Sequence, residues 1–299
     1  MESQILPDPR IRMGPVPDFD PGHTFLCGQC FRWTRVGTKT DASSDRSRQD
    51  DWVGIAGSHA IRLQWDGSCL SASGTTESEL KGWWRPYLDL AENYSDLKLK
   101  LSAGDPVMEE AIRFGHGLRL LRQDPWETLI TFLISQNNGI PRIRSIVNTL
   151  CTCFGEAIPF EGGMLHAFPT PEALAVLNSC GLDVCRAGYR SAYVIRTAQQ
   201  VVEGRFDPNA LSSMPYEEAR EYLLPFHGVG VKVADCTLLF SGLHRSAFPV
   251  DRWVFRVMDT LYPGSGKTTK ELQAFAKDRW GENAGLAQEY LFHFARSHL

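Results

Sequence analysis

The sequence predicts an α+β fold in two units, an N-terminal antiparallel β-sheet domain at 1–105 and an all-α domain at 106–299. Three observations predict it. Short runs rich in aromatic and branched residues, separated by Gly, Asp and Ser, fill residues 23–75. From Pro106 onward, helix-start signatures recur instead. At 299 residues and 43% hydrophobic content, the chain can bury a core in each unit.

The elements follow in order. Thr24–Trp33, Asp51–Ile55, Ala60–Trp65 and Cys69–Ser73 read as strands of an antiparallel meander. The polar stretch Thr38–Asp51 reads as a mobile hairpin loop. Glu77 to Leu90 turns helical. Asp124-Pro125-Trp126-Glu127 offers an N-cap, a proline at the first helical position and a Glu three residues after the cap, and the apolar run Leu129–Ile134 follows. Thr170-Pro171-Glu172 starts a helix that Gly181 can end, and Met214-Pro215-Tyr216 starts another that runs to about Leu224. No repeat of solenoid length is present.

Composition narrows the function. A net charge of −4 counts against a non-specific nucleic-acid coat protein. It leaves a DNA enzyme open, because backbone N–H groups at helix N-termini bind phosphates without changing net charge. No apolar run approaches the length of a membrane span. Met1 to Arg10 lacks the pattern of a secretory signal, so an intracellular location is expected. Cys27-Gly28-Gln29-Cys30 is half of a zinc-site pattern, but no second Cys-x-x-Cys or His-x-x-x-His accompanies it. Most of the eight cysteines are therefore expected to be small buried hydrophobes, with no metal site.

The segment Leu223–Arg256 carries the chemistry. A helix ends at Leu224, Pro225-Phe226-His227-Gly228-Val229-Gly230 makes a tight turn, and a second helix covers Val231–Ser241. The two glycines allow positive φ and close backbone approach. The free N–H groups of turn and helix then face an anion such as a DNA phosphate. Lys232 and Cys236 share a face of the second helix, which Phe240 continues. A helix N-terminus disfavours a cation, and with partial burial it favours the neutral amine, which is a nucleophile. Taken alone, Lys232 reads as a solvated lysine or a phosphate partner. Phe248-Pro249-Val250-Asp251 follows, and Arg252-Trp253-Val254-Phe255-Arg256 opens a further helix, placing Asp251 at its N-cap. A carboxylate held there can stabilise a sugar cation. Alone, it is a structural cap. The spacing of turn, lysine and capped aspartate is what becomes specific.

That constellation resembles the helix-hairpin-helix DNA glycosylases. Gly228-Val229-Gly230-Val231-Lys232-Val233-Ala234-Asp235-Cys236 with Pro249-Val250-Asp251 is similar to their 8-oxoguanine DNA glycosylase branch. Cys27-Gly28-Gln29-Cys30-Phe31-Arg32-Trp33 resembles a further block of that branch. So do Leu120 to Pro125, Ser135-Gln136-Asn137-Asn138-Gly139-Ile140, Gly188 to Tyr193, and Ala284-Gly285-Leu286-Ala287-Gln288 with Phe292. These blocks keep their order over nearly the whole chain.

The resemblance implies a helix-hairpin-helix domain after the β-rich one, and a bifunctional enzyme that removes oxidised purine from duplex DNA and then cleaves the strand as a lyase. It implies that Lys232 forms a Schiff base with the sugar and that Asp251 supports the positive charge. The Gly28 carbonyl would accept the N7 hydrogen of the lesion, Gln288 would read its Watson–Crick edge, and Cys236 and Phe292 would sandwich the ring. Trp253 stands where vertebrate-like members carry a histidine and is expected at the base. Asn137, Arg142 and Tyr189 would fill the vacated stack, while His227, Gly228 and Gly230 would hold the backbone. Gly139 replaces a third asparagine, so a strict cytosine preference opposite the lesion is not implied. No cofactor is expected, and the protein is expected to act as a monomer. An iron–sulfur cluster of the endonuclease III type needs four cysteines after the aspartate, and none follows Cys236. Alkylpurine glycosylases usually lack the hairpin lysine. A non-catalytic DNA-binding module would explain the hairpin but not Lys232 with Asp251. Gly264-Ser265-Gly266-Lys267-Thr268 lacks the first glycine and preceding strand of a phosphate-binding loop, so it reads as a helix connection.

Overall fold

The structure, a computed structural model, describes residues 10–36, 50–178 and 180–299. The readings of Met1–Pro9 and of most of the Thr38–Asp51 loop fall outside the described residues. Strands β1 (Ile11–Pro15), β2 (Trp33–Arg35), β3 (Asp50–Ala56), β4 (His59–Trp65) and β5 (Cys69–Ser73) form an antiparallel sheet of order β1-β5-β4-β3-β2. The expected β3–β4–β5 meander is present. Trp52, Gly54 and Ala56 are buried in strict alternation along β3, which fixes one face against the core.

One expectation at this end is overturned. Thr24–Trp33 is not a strand except for Trp33, which opens β2: Asp20 caps a short helix, α1 (Pro21–Leu26), by accepting from His23 N at 2.8 Å. Its aromatic content mimicked a strand, but the Asp-Pro start just upstream decides the local geometry. Cys27 to Arg32 then runs irregularly, with Gly28 at φ +120°. Strand β1 escaped notice because Gly14 and Pro15 interrupt it and a register shift lies between Arg12 and Gly14.

Helices follow. α2 (Glu77–Glu79), a π-helical turn at Leu80–Trp84 and α3 (Arg85–Tyr87) run on from one another, within the expected Glu77–Leu90 segment. Then come α4 (Tyr94–Ser102), α5 (Pro106–Phe114), α6 (Pro125–Ser135) and α7 (Ile140–Phe154). A hairpin of β6 (Ala157–Phe160) and β7 (Gly163–His166) interrupts the helical part and was not expected. Next are α8 (Pro171–Ala175), α9 (Arg190–Val202), α10 (Pro208–Ser213), α11 (Tyr216–Leu223), α12 (Val231–Phe240), α13 (Arg252–Leu261), α14 (Thr269–Trp280) and α15 (Ala284–His298). The caps read from sequence at Asp124 and Thr170 both form. α8 stops at Ala175, well before Gly181. Among the described residues no helix is long and apolar enough to cross a membrane.

Two cores result. The sheet packs Phe25, Trp33, Trp52 and Trp84 together, with Phe25 stacked on Trp33 at 3.9 Å. The second core gathers α6, α12 and α15 with their neighbours, and it also takes in Tyr94, Leu97 and Leu101. Polar groups close the seam. Buried Asp89 accepts from Arg122 Nε at 2.9 Å and from the Tyr94 hydroxyl at 3.0 Å. Arg119 donates to the carbonyls of Pro17, Asp18 and Asp89. Gln29, 1% exposed, donates to the carbonyls of Thr24 and Arg119, and its Oε1 accepts from Leu121 N at 2.8 Å. Burying these groups costs little because each is partnered. The result pins the Cys27–Arg32 loop against the helical unit.

Candidate active site

The hairpin forms as the sequence suggests, with one correction. Gly228 has φ +84°, and a Cβ there would lie 2.4 Å from the Tyr193 ring, so only glycine fits. Gln136 Nε2 donates to its carbonyl at 3.1 Å. Gly230 does not use positive φ: it sits at φ −104° as the N-cap of α12. A Cβ on Gly230 would meet nothing within 4 Å. No side chain caps α12, so its first N–H groups look onto open space, where an anion is welcome.

Beside the hairpin lies a cavity of about 120 Å³, lined by Gly28, Lys232, Cys236, Asp251, Gln288 and Phe292 among others. Six residues drawn from three distant stretches of sequence therefore share one wall system. Lys232 reaches in from the first turn of α12. Its Nζ lies 3.5 Å from Ser135 Oγ and 4.9 Å from the centroid of Phe132, whose ring stacks on Phe240 at 5.1 Å. Cys236, one turn on, is 2% exposed, and burial pushes its thiol up to about 12 against the pull of Lys232. It is a neutral packing surface. Asp251 caps α13: one carboxylate oxygen accepts from Trp253 N and Val254 N, both at 2.9 Å. The cap consumes one oxygen and fixes the other beside the cavity.

The opposite wall comes from α15. Gln288 is 5% exposed and its Oε1 is buried with no hydrogen-bond partner among the described residues. Phe292, four residues on, lies on the same face. Gly28 closes the end; a Cβ there would sit 3.2 Å from Ile140 Cδ1 and 3.5 Å from Phe292 Cε1. Its carbonyl accepts no hydrogen bond among the described residues. Glu289 also lines this cavity, and the sequence reading missed it. The signal available was an acidic residue inside the apolar run Leu286 to Phe294.

Outside the cavity, Asn137 adopts φ +51° and its Nδ2 contacts the Tyr189 hydroxyl at 3.2 Å. Tyr189 is 50% exposed. Arg142 donates to the Arg186 carbonyl at 2.6 Å. His227 packs edge-on to Tyr193, which packs edge-on to Tyr189. Asn137, Tyr189, Tyr193 and His227 thus form a continuous row of contacts leading to the hairpin. Trp253 departs from expectation. It does not line the cavity, and its indole Nε1 is buried with no hydrogen-bond partner among the described residues. Its backbone N–H serves Asp251, so the position acts through the cap. Of the eight cysteines, Cys27, Cys30, Cys151, Cys185 and Cys236 are buried, whereas Cys153 and Cys180 are exposed.

The chain is similar to known proteins over nearly its whole length. Residues 14–129 match the family described as 8-oxoguanine DNA glycosylase, N-terminal domain, and residues 130–282 match the HhH-GPD superfamily base excision DNA repair proteins. The chain is 33% identical over 290 residues to the N-glycosylase/DNA lyase OGG1 of Arabidopsis thaliana, covering 90% of this chain and 75% of that protein. It is 31% identical over 245 residues to a probable N-glycosylase/DNA lyase of Methanothermobacter thermautotrophicus, covering 71% of this chain and 78% of that one. Among solved structures, it superimposes with a TM-score of 0.87 on the Clostridium acetobutylicum 8-oxoguanine glycosylase/lyase bound to double-stranded DNA with cytosine opposite 8-oxoguanine. There the identity is 34%, covering 98% of this chain and 99% of that one. The chain belongs to the 8-oxoguanine DNA glycosylase family, within the HhH-GPD superfamily of base excision DNA repair proteins.

Proposed function

We propose that this protein flips 8-oxoguanine out of duplex DNA, removes it with Lys232 and cleaves the strand as an AP lyase. A base in the stack hides its glycosidic bond, so extrusion comes first and costs a few kcal/mol. The α12 N-terminus and Gly230 receive the backbone phosphate, with His227 and Gly228 shaping the turn. Asn137, Arg142 and Tyr189 occupy the gap. The base enters between Cys236 and Phe292, with its five-membered-ring edge toward Gly28 and its Watson–Crick edge toward Gln288. The Gln288 Oε1 and the Gly28 carbonyl, neither of which has a hydrogen-bond partner among the described residues, support that orientation, since a buried polar group without a partner is costly.

The Lys232 amine then attacks C1′. The C1′–N9 bond breaks, and the base leaves with the electron pair and takes up a proton. Asp251 supports the cationic sugar. As the amine loses its protons the sugar ring opens to the imine; loss of a C2′ proton then expels the 3′ phosphate. These steps draw only on the side chains named and on water.

The observation that carries this reading is the convergence of Lys232 and Asp251 on one cavity with Gly28, Cys236, Gln288 and Phe292. Incubation with duplexes carrying 8-oxoguanine, in the presence of borohydride, tests it. Wild type should yield a covalent protein–DNA adduct. Lys232→Gln should yield none and lose roughly a thousandfold or more in excision rate. Release of 8-oxoguanine by K232Q at the wild-type rate overturns the assignment.

A further inference from the structure

We propose that Glu289, as an uncharged carboxylic acid, is a second lesion-reading residue that donates a hydrogen bond to the C8 carbonyl oxygen of the flipped base. The proposal rests on the excision of 8-oxoguanine set out above. Glu289 is 2% exposed, lines the base cavity, and holds an Oε1 that is buried with no hydrogen-bond partner among the described residues. It lies at the Gly28 end, where the Cys27 thiol is among the groups that act on its carboxyl. Phe292 follows three residues later and abuts Gly28. This end therefore offers an acceptor, the Gly28 carbonyl, next to a carboxyl group.

The lesion presents the matching pair. Its five-membered-ring edge carries an N7–H donor beside a C8 carbonyl acceptor. Guanine offers an N7 lone pair beside a C8–H, which suits neither group. Sites that require such hydrogen bonds discriminate strongly against analogues that lack them.

The acid must keep its proton to donate. Burial raises Glu289 to about 7, against the opposing pull of the Cys27 thiol, Arg296 and Lys232. The other ionisable groups around it are Cys30 on the loop, Cys236 on α12 and Asp251 at the head of α13. Arg296 is occupied elsewhere, donating to the carbonyls of Cys27 and Leu26 at 2.8 and 3.3 Å.

Single-turnover kinetics of Glu289→Leu and Glu289→Gln test this, using release of 8-oxoguanine and strand cleavage at a preformed abasic site. An abasic site carries no base to read. E289L should lower base release about tenfold more than it lowers cleavage of the abasic site, the scale of one lost hydrogen bond. E289Q keeps an N–H donor that cannot ionise, so the ratio of its base-release rate to that of wild type should rise as pH is raised from 6 to 9. Equal loss of both reactions in E289L assigns Glu289 to packing alone and overturns the proposal. A flat E289Q ratio across pH also overturns it. Failure of the wild type to release 8-oxoguanine while cleaving abasic sites would instead remove the functional reading, and the proposal with it.

Discussion

Asp251 does two jobs with one side chain, and chemistry can separate them. Its Oδ1 satisfies two N–H groups of α13 while its charge faces the cavity. Asparagine caps a helix about as well as aspartate. Asp251→Asn should therefore change unfolding free energy by less than about 1 kcal/mol, yet slow base release roughly a hundredfold through loss of the charge. Asp251→Ala should lose both, adding about 1 kcal/mol of destabilisation. Urea melts read against single-turnover rates distinguish the two; equal excision by D251N and wild type would leave Asp251 with the cap alone. Lys232 and Asp251 stood out in the sequence by local rules, a first helical turn and an N-cap, whereas Gln288 and Phe292 came only from the family resemblance. Glu289 escaped both. Nothing local shows that the carboxyl following Gln288 is shut in by Cys27, more than 250 residues away, and burial alone changes its chemistry.

At the scale of elements, the hairpin's two glycines answer to different constraints. Gly228 is held by positive φ and by the Tyr193 ring. Gly228→Ala should destabilise the protein by roughly 2 to 4 kcal/mol, combining backbone strain with overpacking. Gly230 has neither constraint. Gly230→Ala should leave the urea midpoint close to wild type but weaken binding to any duplex, since in the proposed function the added methyl group obstructs a phosphate at the α12 N–H groups. Fluorescence anisotropy with undamaged DNA measures the second effect. Helices were easier to read than strands for the same reason that these substitutions differ: caps and turns are local. Asp124, Thr170 and the hairpin announced themselves. The β6–β7 hairpin, held to the sheet by Arg62 and Glu161, owes its place to a long-range ion pair and could not. The segment Thr24–Trp33 was misread because its aromatic residues serve a core reached from a helix and a loop rather than a pleated edge.

Across the whole molecule, buried carboxyls shape the response to pH. Burial raises Asp235 to about 6 and Glu289 to about 7, whereas free Asp and Glu have ordinary values of 3.8 and 4.5. In this window the folded protein holds more protons than the unfolded chain. The stability these groups contribute is complete below their ordinary values and is lost as pH rises through 6 to 7. Asp18 and Glu92 act in reverse. Although burial raises both, Lys98 and Ser95 hold Asp18 low and Arg245 holds Glu92 low, so their contribution fades in acid. The melting temperature should therefore peak near pH 5, and a D235N/E289Q double variant should show a shallower alkaline decline in calorimetry. A wild-type profile flat from pH 5 to 8 contradicts this.

The base cavity straddles the seam that Arg119, Asp89 and Gln29 close, with Gly28 on one jaw and Gln288 and Phe292 on the other. Such a calliper measures only as well as its hinge is tight. Warming that loosens the seam should widen the gap before either jaw melts. Near its upper working temperature the protein should begin to confuse normal with damaged guanine while still cutting abasic strands, so fidelity would be the first property that heat removes.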